Sequence, residues 1–219
     1  MGMITPEVAR WLERAAFDRA GGIFMTGTDT GVGKTWIGAH LLKLLKIIGR
    51  DVAPRKPVEA GWNADVSETD AWKLAQAGGV DMDIVCRYRL QAPLSPPRAA
   101  WLEGKTLSMV DLVAACSHGF RNGQFLYVEG AGGFYSPIAE DGLNADLAEL
   151  LGLPLVIVTE DRVGCINHVM LTVEAAERRG LKVAGIVLNR RASAPDGMDN
   201  LADLREQRDI PILHSNELG

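Results

Sequence analysis

The segment Gly27-Thr28-Asp29-Thr30-Gly31-Val32-Gly33-Lys34-Thr35 ends in the glycine-lysine-threonine of a phosphate-binding loop. Backbone N–H groups of such a loop, and of the helix it opens, complex anionic oxygens. Gly27, Gly31 and Gly33, with Val32 between the last two, allow the backbone to approach closely, Lys34 can reach the β/γ-phosphates, and the Thr35 hydroxyl is an oxygen ligand of the type Mg²⁺ accepts. Five residues separate Gly27 from Gly33, where the usual loop has four. The segment therefore belongs to a variant class, which lowers the weight of ordinary GTPase and transporter readings. Trp36 abuts the loop, within reach of a nucleotide.

Other residues able to do phosphate chemistry are scattered. Lys56 precedes Pro57, whose ring holds the preceding backbone extended, as at a strand end. Asp70 stands at a helix start and Glu129 at the end of the apolar run Phe125–Glu129, before Gly130-Ala131-Gly132-Gly133. From the residues alone each has a second reading. Asp70 also suits a helix macrodipole, Glu129 a solvated charge, and Lys56 an ordinary surface lysine.

The elements that must position these groups follow from hydrophobic patterning. Residues 1–20 read as an amphipathic helix with Thr5 as cap, Pro6 in the first turn, and Val8, Trp11, Leu12 and Ala15 on one face. Gly22–Gly27, Val52–Val58, Phe125–Glu129, Leu155–Thr159 and Val183–Leu188 read as strands. Segments 36–48, 69–76, 107–119 and 166–179 read as helices. Three prolines make 91–98 a loop. Strands alternating with helices predict a single α/β domain over residues 1–219, a mostly parallel sheet with helices on both faces, with 1–20 as a helical extension.

Composition limits the partners. The chain is 47% hydrophobic and 23% charged with net charge −5, so nucleic acid and anionic membrane are not expected. Cys86, Cys116 and Cys165 form no paired framework, and no secretory signal or membrane-spanning run is visible. The expectation is a cytoplasmic protein. Cys165 has no identifiable base and reads as a small buried residue, His40 and His168 as packed or surface histidines, and Trp36, Trp62, Trp72 and Trp101 mainly as packing residues.

Five segments in order carry a family resemblance: the loop at 27–35, Lys56-Pro57-Val58-Glu59-Ala60-Gly61, Thr69-Asp70-Ala71, Val128 to Gly133, and Gly164-Cys165-Ile166-Asn167-His168. Together they resemble dethiobiotin synthetase. That resemblance implies ureido-ring closure from 7,8-diaminopelargonic acid, CO₂ (or bicarbonate) and ATP with Mg²⁺, through a carbamate and a carbamic–phosphoric anhydride. It implies Lys34, Lys56 and Thr30 at the reacting groups, Thr35, Asp70 and Glu129 at the metal, and Gly130, Ala131, Gly132 and Asn189 near the nucleotide. Thr30, Lys56, Ala60, Gly132 and Gly164–Asn167 would touch the substrate, the last segment reaching it from the partner subunit of a homodimer.

Three departures stand out: Ala60 in place of a serine, Gly31 in place of an acidic residue, and Asn189-Arg190 in place of an Asn-Asp pair that reads the purine. A Gly-Glu-x-Pro loop usual after the Ile212-Leu213 region is also lacking. Ala60 and Gly31 remove polar contacts and predict weaker substrate binding with the chemistry kept. Arg190 and the lacking loop predict relaxed triphosphate selectivity, or a base held by backbone groups alone. The main rival is a switch ATPase of the partitioning type, which carries a second lysine early in the loop where this chain has Thr28-Asp29-Thr30. A cobyrinate-amidating relative needs a glutaminase domain that this sequence lacks, and a non-catalytic nucleotide module would have no reason to keep Lys34, Lys56, Asp70 and Glu129 together.

Overall fold

The computed structural model describes residues 4–17, 19–62 and 65–218. In chain order the elements are α1 (Pro6–Arg14), β1 (Gly22–Gly27), α2 (Lys34–Ile47), β2 (Val52–Arg55), β3 (Val58–Ala60), α3 (Asp70–Gly78), α4 (Met82–Val85), β4 (Tyr88–Leu90), α5 (Pro96–Leu102), α6 (Met109–Ser117), β5 (Phe125–Gly133), β6 (Pro137–Ala139), β7 (Gly142–Leu143), α7 (Asn144–Leu151), β8 (Leu155–Glu160), α8 (Cys165–Arg178), β9 (Val183–Asn189), α9 (Asn200–Gln207) and β10 (Ile212–His214). Six strands form one parallel sheet in the order β10-β9-β8-β1-β5-β2.

Side chains alternate across each strand, so the sheet feeds two cores. Ile23, Met25, Tyr127 and Val158 pack beneath α1, α2 and α3. Phe24 and Val128 face α5, α6 and α7, and Ile157, Ile186 and Leu188 face α8 and α9 on the same side. The central strands are buried on both faces, the normal state of parallel sheets. Their C-terminal ends all open on one edge, where such sheets bind ligands. Among the described residues no helix is long and apolar enough to cross a membrane.

Several expected boundaries are corrected. The first helix spans Pro6–Arg14 and not 1–20; Thr5 caps it as read, and Val8, Trp11 and Leu12 are buried. Ala16 then takes a positive φ of 58°, which ends the helix, while residues 1–3 and 18 of that expectation lie outside the described residues. The expected strand 52–58 is two strands in two sheets: β2 ends at Arg55, and β3 pairs with β4 instead. Pro57 has no N–H to extend the ladder, and the chain leaves the main sheet there. The expected loop 91–98 contains the start of α5, because Pro96 and Pro97 fall in a first turn that needs no N–H donors. Segments 134–154 and 199–207, left without helices by the patterning, contain α7 and α9.

Candidate active site

The phosphate loop joins β1 to α2. Gly31 and Gly33 have φ of 75° and 92°, conformations open to glycine. A Cβ on Gly33 would also lie 2.1 Å from the Asn189 side-chain nitrogen, so glycine is required there twice over. Neighbouring side chains hold the loop carbonyls outward. Asn189 Nδ2 donates to the Val32 carbonyl at 2.9 Å, and Arg191 donates to the Gly31 carbonyl at 2.6 Å. The helix begins at Lys34, two residues earlier than its hydrophobic periodicity alone marks.

Lys34 is 7% exposed and its ammonium donates to the Asp29 carbonyl at 3.2 Å. Burial, with the like charge of Lys56, lowers it to about 8. A phosphate would supply the counter-charge that this ammonium lacks.

Beneath the loop four segments converge. Glu129 Oε1 accepts from the Thr35 hydroxyl at 2.7 Å and from the Lys56 ammonium at 2.7 Å. Lys56 also pairs with Asp70 at 2.9 Å. Lys56 is 4% exposed and Glu129 fully buried, which disposes of the surface-lysine and solvated-charge alternatives. Burial works to lower the Lys56 pKa, but Asp70, Glu129 and Glu59 overcome it and raise it, so this lysine is a fixed cation. Asp70 shows the converse. Burial pushes it up, and Lys56 and hydrogen bonds from Lys56 and Thr35 carry it below the usual carboxylate range.

A hydroxyl and two carboxylates make an all-oxygen donor set. Among the described residues no three His, Cys, Asp or Glu side chains gather as a cage for a metal. This chemistry fits Mg²⁺, which retains waters and takes few protein ligands alongside phosphate oxygens.

Over this group lies an open cavity of about 1100 Å³. Thr30, Gly31, Gly33, Lys34, Thr35, Trp36, Lys56, Ala60, Asp70, Ala131, Gly132 and Asn189, all singled out in the sequence, line it. Val32, Glu129 and Gly130 lie behind its wall, and Gly164, Cys165, Ile166 and Asn167 line neither this cavity nor a second one of 680 Å³. Gly164 instead caps the N-terminus of α8 with φ 87°, and Cys165 is buried with its thiol pushed up by that burial. Trp36 and Trp101 are 45% and 59% exposed, contrary to the packing role expected of them; Trp36 rests on the His40 ring at 4.0 Å, at the cavity rim.

Four residues that support the site escape sequence reasoning. Glu59 accepts from the backbone N–H groups of Asp70 (2.8 Å) and Ala71 (2.9 Å), clamping the N-terminus of α3. Its own pKa is raised, chiefly by burial. Arg55, buried, donates to the carbonyls of Pro54 and of His118, the C-cap of α6, and so anchors the strand end from which Lys56 projects. Asn144, fully buried, donates to the carbonyls of Ala131, Gly133 and Ser136 and accepts from the Ala131 N–H, bracing the glycine-rich end of β5. Tyr127 donates its hydroxyl to Glu129 Oε2 at 3.0 Å. A signal for this last one exists: Tyr127 and Glu129 are two apart on a strand and share a face.

The chain as a whole is similar to known proteins. A family model described as an AAA domain matches residues 21–215. A protein of Anaeromyxobacter dehalogenans (strain 2CP-C) named ATP-dependent dethiobiotin synthetase BioD is 43% identical over 199 residues, covering 88% of this chain and 89% of its own. One of the same name from Ralstonia nicotianae is 39% identical over 196 residues, covering 87% of this chain and 86% of its own. A solved nucleotide-binding protein of Archaeoglobus fulgidus in complex with ADP is 14% identical, with a TM-score of 0.47 over 99% of this chain and 90% of that one.

Proposed function

The chain belongs to the ATP-dependent dethiobiotin synthetase family, and from that premise we infer that it is a biotin-pathway ligase that closes the ureido ring of dethiobiotin from 7,8-diaminopelargonic acid, CO₂ and ATP. One amine of the diamine takes up CO₂ as a carbamate and releases a proton. A carbamate oxygen attacks the γ-phosphorus, ADP departs, and a carbamic–phosphoric anhydride remains. The second amine attacks the anhydride carbonyl, closing the ring and expelling inorganic phosphate with loss of a proton.

The observation that carries this reading is the chain of contacts that runs from Thr35 to Glu129, from Glu129 to Lys56 and from Lys56 to Asp70 beneath the phosphate loop. Joining an anionic carbamate to an anionic phosphate sets like charges together, and catalysis of such a step is chiefly prior placement of cations. Lys34 grips the outgoing phosphates from the loop. Lys56 leaves its carboxylates to bridge carbamate and γ-phosphate, with Thr30 at the reacting oxygens and Ala60 and Gly132 against the diamine. Thr35, Asp70 and Glu129 would hold Mg²⁺, which screens phosphate charge when bound. The Gly164–Asn167 helix N-terminus, remote from the cavity of its own chain, would hold the far carboxylate of the diamine across a homodimer interface.

The test is phosphate release from ATP and Mg²⁺, with and without the diamine and bicarbonate, for wild type and Lys56→Ala. Release that needs both substrates and collapses by about 10²–10³-fold in the variant is expected. Release indifferent to the diamine would identify a switch ATPase instead.

A further inference from the structure

We propose that Tyr127 is a positioning residue for Glu129, and that position 38 is glycine in order to admit the Tyr127 hydroxyl. This rests on the reading of Glu129 as part of the phosphate and metal site.

The two oxygens of Glu129 have different company. Oε1 accepts from Thr35 and Lys56, both of which line the cavity. Oε2 accepts from Tyr127, which is fully buried and lies outside the cavity wall. In the proposed function Thr35 and Lys56 exchange their bonds to Oε1 for metal and phosphate oxygens. The bond from Tyr127 is the one that ligand arrival has no cause to disturb. A carboxylate held by one oxygen keeps its plane while the other exchanges partners, so Tyr127 keeps Glu129 aimed through the reaction.

Space for that hydroxyl comes from α2. A Cβ on Gly38 would lie 1.9 Å from the Tyr127 oxygen, 2.8 Å from its ring carbon Cζ and 3.3 Å from Glu129 Oε2. Glycine inside a helix is unfavourable against alanine, and Gly38 has ordinary helical φ, so no backbone demand explains it. The steric reason remains. Gly38 stands three residues after Thr35, on the same helix face, and Tyr127 two residues before Glu129, on the same strand face. One residue of each pair bears on ligand and the other makes room for or holds the first.

Tyr127→Phe keeps the ring and removes only the donor. Its kcat is expected to fall about tenfold or more, with KM for ATP within about threefold of wild type, because a buried bond to a charged group is lost without loss of the nucleotide's own contacts. A residue that merely packs would leave both constants unchanged in the Phe variant. The second measurement needs no metal or substrate: urea unfolding in chelator of Gly38→Ala, Tyr127→Leu and the double variant. Gly38→Ala is expected to lower the midpoint in the wild-type background and to leave it level or raise it where the ring is gone. Wild-type kcat in Tyr127→Phe, or equal cost of Gly38→Ala in both backgrounds, overturns the inference. Wild-type protein without diamine-dependent phosphate release overturns the functional reading instead, and the metal-free cycle alone then decides whether Gly38 and Tyr127 are coupled.

Discussion

Lys34 and Lys56 are two buried ammoniums with opposite fates. Lys56 has carboxylates on two sides, whereas Lys34 has a carbonyl and a like charge. Folding therefore lowers Lys34 from 10.5 to about 8, and between those values the unfolded chain binds more protons at this group than the folded one. Stability of the free protein from this group must rise with pH through that window. Denaturant unfolding at two pH values inside and below the window, wild type against Lys34→Met, should show the slope in wild type and its loss in the variant. Nucleotide binding near the middle of that window should take up protons, read by calorimetry in buffers of different ionisation enthalpy. A second residue-scale prediction concerns the base. Asn189 donates from Nδ2 to the Val32 carbonyl and Arg190 donates to Asp161, so the pair presents no carboxylate to the base. Turnover with ATP, GTP and CTP should agree in kcat/KM within about tenfold; a preference for ATP above about 100-fold would sink the idea.

At the scale of elements, α3 is aimed by one carboxylate. Glu59 meets two N–H groups of its first turn, while Thr69 caps the same turn by accepting from the Trp72 N–H at 3.3 Å. Glu59→Ala should lower stability by about 1–2 kcal/mol, the usual worth of a cap and its dipole. It should also raise the Mg²⁺ concentration needed for half-maximal turnover, because Asp70 loses its orientation. Urea unfolding and a Mg²⁺ titration of activity read the two effects separately. The sequence disclosed this helix through Thr69 and Asp70, local signals at a helix start, but not the clamp. Glu59 lies eleven residues earlier in a strand that patterning joined to its neighbour, and only the break at Pro57 places it beneath α3. Similarly, Pro96 and Pro97 read as loop because proline marks both turns and first helical turns, and nothing local separates the two.

Over the whole molecule, the order of strands was legible as a class but not the contacts that close it. Alternating strands and helices imply a parallel sheet, and Lys34 and Thr35 are legible from a glycine-rich loop opening a helix. Lys56, Asp70 and Glu129 each carry a second reading in the residues alone and come together only through the family resemblance. Glu129 lies in mid-strand, since β5 runs on through Gly133. The knot at the far side of the sheet had no such signal. Asp161, with its side chain 1% exposed, accepts from Arg190, from His214 at 3.0 Å and from Asn200 at 2.7 Å, tying the ends of β8, β9 and β10 to α9. Its partners lie 29 to 53 residues away, beyond any local pattern. Burial pushes the Asp161 carboxyl up, but bonds from Asn200, Arg190 and His214 hold it below 3.8. Its contribution is therefore complete above that value and is lost as pH falls through the depressed one. Asp161→Asn should cost about 1.5–3 kcal/mol at neutral pH, since it removes the charge that Arg190 and His214 donate to, and the gap to wild type should close in acid. Denaturant unfolding at neutral and low pH measures both.

The fit of Gly38 against Tyr127 also restricts history. These positions sit 89 residues apart and cannot drift freely, since a methyl group on one meets the phenol of the other. Of the two routes from this pair to an alanine-and-leucine pair, the one that adds the helix methyl first meets the clash, and the one that shrinks the ring first gives up the donor to Glu129. Descendants of this sequence that carry alanine at 38 beside tyrosine at 127 should be missing from any mutational lineage selected for growth without biotin.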